Sequence, residues 1–215
     1  RLVGSLIMVP KYPEQGILVF AKAPLPGQVK TRLIPVLGEE GAALLHKNLL
    51  IHTLDKLEQV RMAPVELHCA PDTTDELFQQ CQQNYGLSLH EQRGNSLGER
   101  MQYACEEALK RYRSVLVIGV DCPGLTPVDL HFAFDALNKG YDAVLSPAED
   151  GGYVLLGMNR VSSRLFENML WGTSSVLKET RIRLREMGWQ WYELARRYDI
   201  DRPEDLKRLP EELRI

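Results

Sequence analysis

Residues 115–120 read Val-Leu-Val-Ile-Gly-Val, with no polar residue, and run directly into Asp121. A strand with one wet face alternates polar and apolar residues. A run without alternation must be covered on both faces, as at the centre of a parallel sheet between helix layers. The rest of the chain supplies such a sheet. Residues 17–21, Val65–Ala70, 87–90, 143–146 and Tyr153–Met158 read as further strands, and a late one spans 189–194. Between strands, Ala43, Leu50, Leu54 and Leu57 recur at helical spacing, as do Leu97, Met101, Ala104 and Ala108. Ser96 with Glu99 fits a capping box, and Thr126-Pro127 places a cap before a proline at the first helical position. The alternation predicts an α/β fold, a mostly parallel, Rossmann-like sheet flanked by helices. The short Glu149-Asp150-Gly151-Gly152 link predicts one hairpin-like departure from it.

The 215 residues contain no repeat and no linker long enough to divide them, so a single domain is expected over 17–215. Residues 1–16 read as an N-terminal extension, with Met8 a candidate start, and lack the small-residue cleavage site of a signal peptide. No apolar run approaches the ~18 residues of a membrane-spanning helix. Cys69, Cys81, Cys105 and Cys122 form no CxxC pair, so buried free thiols in a reducing cytoplasm are expected. With 26 basic against 29 acidic residues, the chain lacks the global field that captures nucleic acid.

In open α/β sheets, ligands bind at the carboxyl ends of strands. There the charges segregate by sign. From Gln15 to Gly38 the cations Lys22, Lys30 and Arg32 stand without a single acid. Asp121 follows the central strand, Glu149 and Asp150 follow the fifth, and Asp199 and Asp201 follow the last. A basic loop facing carboxylates suits a metal-bound polyphosphate: cations take phosphate oxygens and aspartates hold a hard divalent ion. Plain readings stand beside these. Lys22, Lys30 and Arg32 also fit solvated loop charges. Asp121 and Asp150 also fit turn-formers, and Asp201 also fits a helix cap before Pro203. Glu99 is read as a cap partner rather than a base, and Trp171 as either a pocket wall or core. Neither a P-loop nor a dinucleotide-binding glycine motif is present.

Six motifs occur in order: ILVFAKAPLPGQVKTRL at 17–33, LGER at 97–100, GVDCPGL at 119–125, EDGGYVLLG at 149–157, WGTSSVL at 171–177 and DIDRPEDL at 199–206. In that order they resemble DUF2064, a bacterial family of candidate glycosyltransferases, over nearly the whole chain. The resemblance implies the nucleotide-diphospho-sugar transferase fold of the GT-A type. It also implies a nucleotide or nucleotide-sugar as ligand and a small molecule as acceptor. Lys22, Pro24, Gly27, Lys30, Thr31 and Arg32 would then embrace phosphates. Asp121 and Asp201 would hold Mg²⁺ or Mn²⁺, and Gly98 and Arg100 would lie near the base. Many glycosyltransferases of this fold carry Asp-X-Asp at the metal, whereas Pro123 stands here. Arg202 stands where Thr is usual.

The leading expectation is metal-dependent transfer of a sugar from a nucleoside-diphosphate sugar. Asp150 is the candidate base or acceptor contact on a Gly151-Gly152 loop where a ligand can approach closely, and Trp171 lines the acceptor. The enzymatic alternative is nucleotidyl transfer to a phosphorylated acceptor with release of pyrophosphate. A non-catalytic nucleotide-binding module is the third reading.

Overall fold

The computed structural model describes residues 10–215, so the Met8 start lies outside the described residues. Among them, seven strands form one sheet: β1 (Gln15–Lys22), β2 (Val65–Ala70), β3 (Ser88–Glu91), β4 (Ser114–Ile118), β5 (Ala143–Pro147), β6 (Tyr153–Met158) and β7 (Trp191–Glu193). Five helices connect them: α1 (Ile34–Val60), α2 (Glu76–Tyr85), α3 (Leu97–Ala108), α4 (Pro127–Asn138) and α5 (Val176–Glu186). The strand order is 3-2-1-4-6-5-7. All pairings are parallel except those of β6, which lies antiparallel between β4 and β5. That is the expected hairpin-like departure. β1 begins at Gln15, inside the stretch expected as an extension: Gln15 pairs in register with Ser114 of β4 and donates to its Oγ at 2.7 Å, and Gly16 leaves room for the Tyr112 ring, which a Cβ would meet at 2.6 Å.

The all-apolar β4 behaves as its sequence demands. Leu116 and Ile118 point into a core shared with α1, α2 and α4, while Val115 and Val117 point into a second core under α3 and α5. Both caps form, with one change. Thr126 and Asp129 make a reciprocal box, whereas Glu99 accepts the amide of Asn95 (2.8 Å) rather than that of Ser96. Ser96 Oγ still accepts the Glu99 amide. The four cysteines are free and buried. No described helix is long and apolar enough to cross a membrane.

β2 carries a polar exception on its α3 side. Glu66 is 1% exposed; Arg111 donates to its Oε1 at 2.7 Å and His68 Nε2 lies 3.1 Å from Oε2. Burial opposes ionisation of Glu66, but the His68 and Arg111 hydrogen bonds outweigh it and bring the carboxyl down to about 2. A depressed carboxylate stabilises the fold above its unfolded pKa of about 4.3, and that stability is lost as pH falls toward 2. We expect the wild type to lose roughly 3 kcal/mol from this group across that window. Glu66→Gln should be less stable at pH 7 and show a correspondingly flatter acid limb in urea unfolding; identical acid limbs would contradict the assignment.

Candidate active site

β1 and β4 are parallel neighbours at the middle of the sheet, and the chain leaves them toward the same end. This is the crevice in which open α/β sheets bind ligands. Three segments meet there: the loop after β1, Asp121 after β4, and residues 199–201 near the carboxyl terminus. Ile200 is fully buried with Leu33, Leu45 and Leu49, and its amide donates to Asp121 O at 2.8 Å. Ile200 thereby anchors the two aspartates that flank it.

Lys30 joins all three segments. Its backbone is left-handed (φ 49°, ψ 38°), which turns the side chain inward until only 2% remains exposed. The ammonium lies 2.7 Å from Asp121 Oδ1 and donates to the carbonyl of Ile200. Lys30, expected at a phosphate, is a buried cation that borders the cationic lobe and has two of its three donors engaged by Asp121 and Ile200 O. Asp121 Oδ1 is buried, yet the side chain keeps 44% exposure, so the open oxygen is Oδ2. Burial opposes ionisation of Asp121, but Lys30, His46 and Lys22 hold it below the usual carboxylate range. His46, buried on α1, donates from Nε2 to Lys22 O (3.0 Å), and its Nδ1 lies 4.0 Å from Asp121 Oδ1.

Around Asp121 the crevice has two lobes. The cationic lobe, about 460 Å³, is lined by Lys22, Thr31, Arg32, Gln92 and Asp201 among others. Lys22 is exposed and forms no ion pair with a described residue. Arg32 pairs with Asp201 at an exposed position, a contact that costs little to exchange. The carboxylate lobe, about 280 Å³, is lined by Asp121, Asp150, Asp199, Trp171 and Thr173 among others. Leu97 and Asp121 border both. A groove of about 460 Å³ at the amino ends of β2 and β3 lies elsewhere; its Glu58 and Arg61 pair with each other.

Asp199, counted in the sequence among the strand-end acids but given no role of its own, lines the carboxylate lobe. Burial, then the charges of Asp121 and Asp150, push its carboxyl up to about 7. Asp201, expected as the second metal ligand, pairs with Arg32 and lines the cationic lobe. It does not cap the following turn: the Asp205 carboxylate takes the amides of Asp201 (3.1 Å) and Arg202 (2.8 Å). Among the described residues no three metal-ligating side chains converge into a complete site. The chemistry nevertheless fits a divalent cation, since Mg²⁺ characteristically uses one or two carboxylates and completes its shell with water and phosphate. Asp121 with an open oxygen, and Asp199 lining the same lobe in a field that its carboxylate neighbours make net negative, form such a donor set.

Two glycines weld the carboxylate wall together. A Cβ on Gly151 (φ 92°) would lie 2.3 Å from Ser174 O, and Gly151 O accepts the Leu177 amide at 2.9 Å. A Cβ on Gly98 would lie 2.6 Å from Trp171 Nε1. Trp171 is half-buried against Tyr153, ring centroids 6.5 Å apart and near perpendicular. Gly98 therefore acts behind Trp171 and does not line the crevice. Arg100 is turned back onto Gly94 O (3.0 Å), and Leu97 supplies the lining expected of this segment. Pro24 and Gly27 shape the β1 loop outside both lobes, Gly27 through its φ of 78°. Asp150 Oδ1 accepts the Gly152 amide at 2.9 Å, a turn contact, while Asp150 and Gly152 both face the carboxylate lobe.

Residues 53–173, more than half the chain, match the family model described as "uncharacterized protein conserved in bacteria (DUF2064)". The chain belongs to the DUF2064 family. This DUF2064 protein is also similar to a structure from Desulfovibrio desulfuricans G20 described as a candidate nucleotide-diphospho-sugar transferase. The two are 30% identical with a TM-score of 0.80, over 88% of this chain and 83% of that one. The fold is shared more distantly with 4-diphosphocytidyl-2C-methyl-D-erythritol synthase from Anaerococcus prevotii DSM 20548. That match has 13% identity and a TM-score of 0.58, over 90% and 92% of the two chains. Glucosyl-3-phosphoglycerate synthase from Mycobacterium tuberculosis, solved with Mn²⁺ and uridine diphosphate, is 12% identical at a TM-score of 0.52, over 90% and 74%. No curated protein matches the sequence. The DUF2064 protein thus has the fold of the nucleotide-diphospho-sugar transferase superfamily.

The weld predicts a graded response to added methyl groups. Gly151→Ala should cost about 2 kcal/mol or more, through backbone overlap and a disfavoured φ. Its melting temperature should fall by about 4–8 °C. Gly152→Ala, whose Cβ would meet only Asp150 Oδ1 at 3.3 Å, should cost clearly less. Equal melting temperatures would contradict the packing described.

Proposed function

We propose that this protein transfers a sugar from a nucleoside-diphosphate sugar to a small acceptor, with Mg²⁺ or Mn²⁺. One observation carries the reading: a cationic lobe and a carboxylate lobe meet at Asp121, whose outer oxygen is open. Lys22, the Thr31 hydroxyl and Arg32 would receive the diphosphate, Arg32 leaving its exposed contact with Asp201. Asp121 would hold the divalent ion through Oδ2, with Asp199 as the second carboxylate. When bound, the ion neutralises charge developing on the departing diphosphate. Lys30 would keep Asp121 ionised and aimed from the edge of the cationic lobe.

The acceptor would enter against Trp171. As its oxygen bonds to the sugar anomeric carbon, the bond from that carbon to the β-phosphate oxygen breaks. The acceptor proton passes to the Asp150 carboxylate, and the nucleoside diphosphate leaves. Lys22 and Arg32 favour this step because the leaving group gains charge in the transition state.

The deciding assay incubates the protein with Mg²⁺, nucleoside-diphosphate sugars or nucleoside triphosphates, and candidate acceptors. Nucleoside diphosphate is the expected product, and pyrophosphate release would assign nucleotidyl transfer instead. Nucleoside diphosphates should raise the melting temperature only with a divalent ion. Asp199→Asn should remove that dependence while leaving the fold intact; Asp121→Asn should remove it too, but with a lower melting temperature, because it takes the carboxylate from the buried Lys30. Lys22→Ala should weaken diphosphate binding about tenfold, the loss of one charge-assisted contact.

A further inference from the structure

We infer that the carboxylate lobe selects an uncharged or cationic acceptor with a flat apolar face and rejects phosphorylated ones. This inference rests on the transferase reading above and names the acceptor class of that site. Its first support is the wall. Phe20, Leu97, Met101, Tyr153, Leu156 and Trp171 line the lobe, an apolar surface with two aromatic rings set edge to face. Trp171 is held in place before any ligand arrives, because Gly98 leaves no space behind the indole. A rigid flat wall favours a ligand with a flat apolar face and saves the cost of ordering the side chain on binding.

Charge supplies the second support. The charged lining of the lobe consists of Asp121, Asp150 and Asp199, and among the described residues no lysine, arginine or histidine lines it. Lys30 reaches Asp121 from the side of the cationic lobe, is 2% exposed and spends two of its three donors on Asp121 and Ile200 O. The cations that do face solvent, Lys22 and Arg32, belong to the other lobe. With Asp121 and Asp199 committed to the divalent ion, a phosphate monoester dianion in this lobe would face the free Asp150 carboxylate and find no basic side chain to pair with. An alcohol meets acceptors for its hydroxyl proton, and an ammonium group meets opposite charge. The two lobes therefore sort their ligands by sign, polyphosphate on one side and a non-anionic acceptor on the other.

The test uses 4-hydroxybenzyl alcohol, tyramine and phenyl phosphate as probes that share a ring and differ in charge. Ligand-observed saturation-transfer NMR measures each against the protein, alone and with Mg²⁺ and a nucleoside diphosphate. The alcohol and tyramine should bind, and Trp171→Ala should weaken both at least fivefold. Phenyl phosphate should bind at least tenfold more weakly than the alcohol. Asp150→Lys, an exposed substitution that spares the core, should gain phenyl phosphate and lose tyramine. The inference is overturned if phenyl phosphate binds the wild type as tightly as the alcohol. Full binding of both phenols by Trp171→Ala, or no gain of phenyl phosphate by Asp150→Lys, also counts against it. Failure of the transferase reading has a separate signature, the absence of any melting shift with nucleoside diphosphate and Mg²⁺.

Discussion

The site depends on where one ammonium group is put. Lys30, turned inward by a left-handed backbone, bridges Asp121 and the Ile200 carbonyl, so the β1 loop, the end of β4 and the carboxyl-terminal segment become one unit. A buried charge is costly unless paired and hydrogen-bonded, and removing one partner of such a pair typically costs about 3–5 kcal/mol. The same contact sets the electrostatics. It keeps Asp121 ionised with one oxygen covered and the other presented to the crevice. Asp199, lacking such a partner, is left in the field of its neighbours. The result is a negative centre bordered by a positive loop, suited to an anion that arrives with a divalent cation.

The second constraint is steric. Gly98 and Gly151 are places where a side chain cannot exist, because Trp171 and the Ser174 backbone occupy the space. Three motifs far apart in the chain thereby become one wall, with Trp171 and Asp150 presented from fixed elements. Positioned groups of this kind contribute to transfer chemistry by orientation, without moving at the moment of reaction.

Much of this was legible in the sequence, for physical reasons. Unbroken apolar runs cannot be wetted, so the seven strands and the parallel centre followed from residues such as Val115 to Ile118. The segregation of charge by loop was equally readable, since loop order along the chain maps onto one end of the sheet. What escaped was side-chain direction. Nothing in the order of residues says that Lys30 turns inward, or that Arg100 folds back on Gly94. The role of Asp199 escaped because it depends on Asp121 and Asp150, which are remote in sequence and share its lobe only in the fold. α5 escaped because its polar surface outweighs the four residues it buries, Val176, Leu177, Thr180 and Leu184.

The central claim is that Asp121 is the meeting point of a cation-lined phosphate lobe and a carboxylate-lined acceptor lobe. Anomalous diffraction at the manganese edge, on crystals soaked with Mn²⁺ and a nucleoside diphosphate, tests it most directly. The account predicts a manganese peak on Asp121 Oδ2, with the diphosphate extending to Lys22 and Arg32 and Lys30 still buried. Manganese bound away from Asp121, or a diphosphate lying along Trp171 and Asp150, would contradict it.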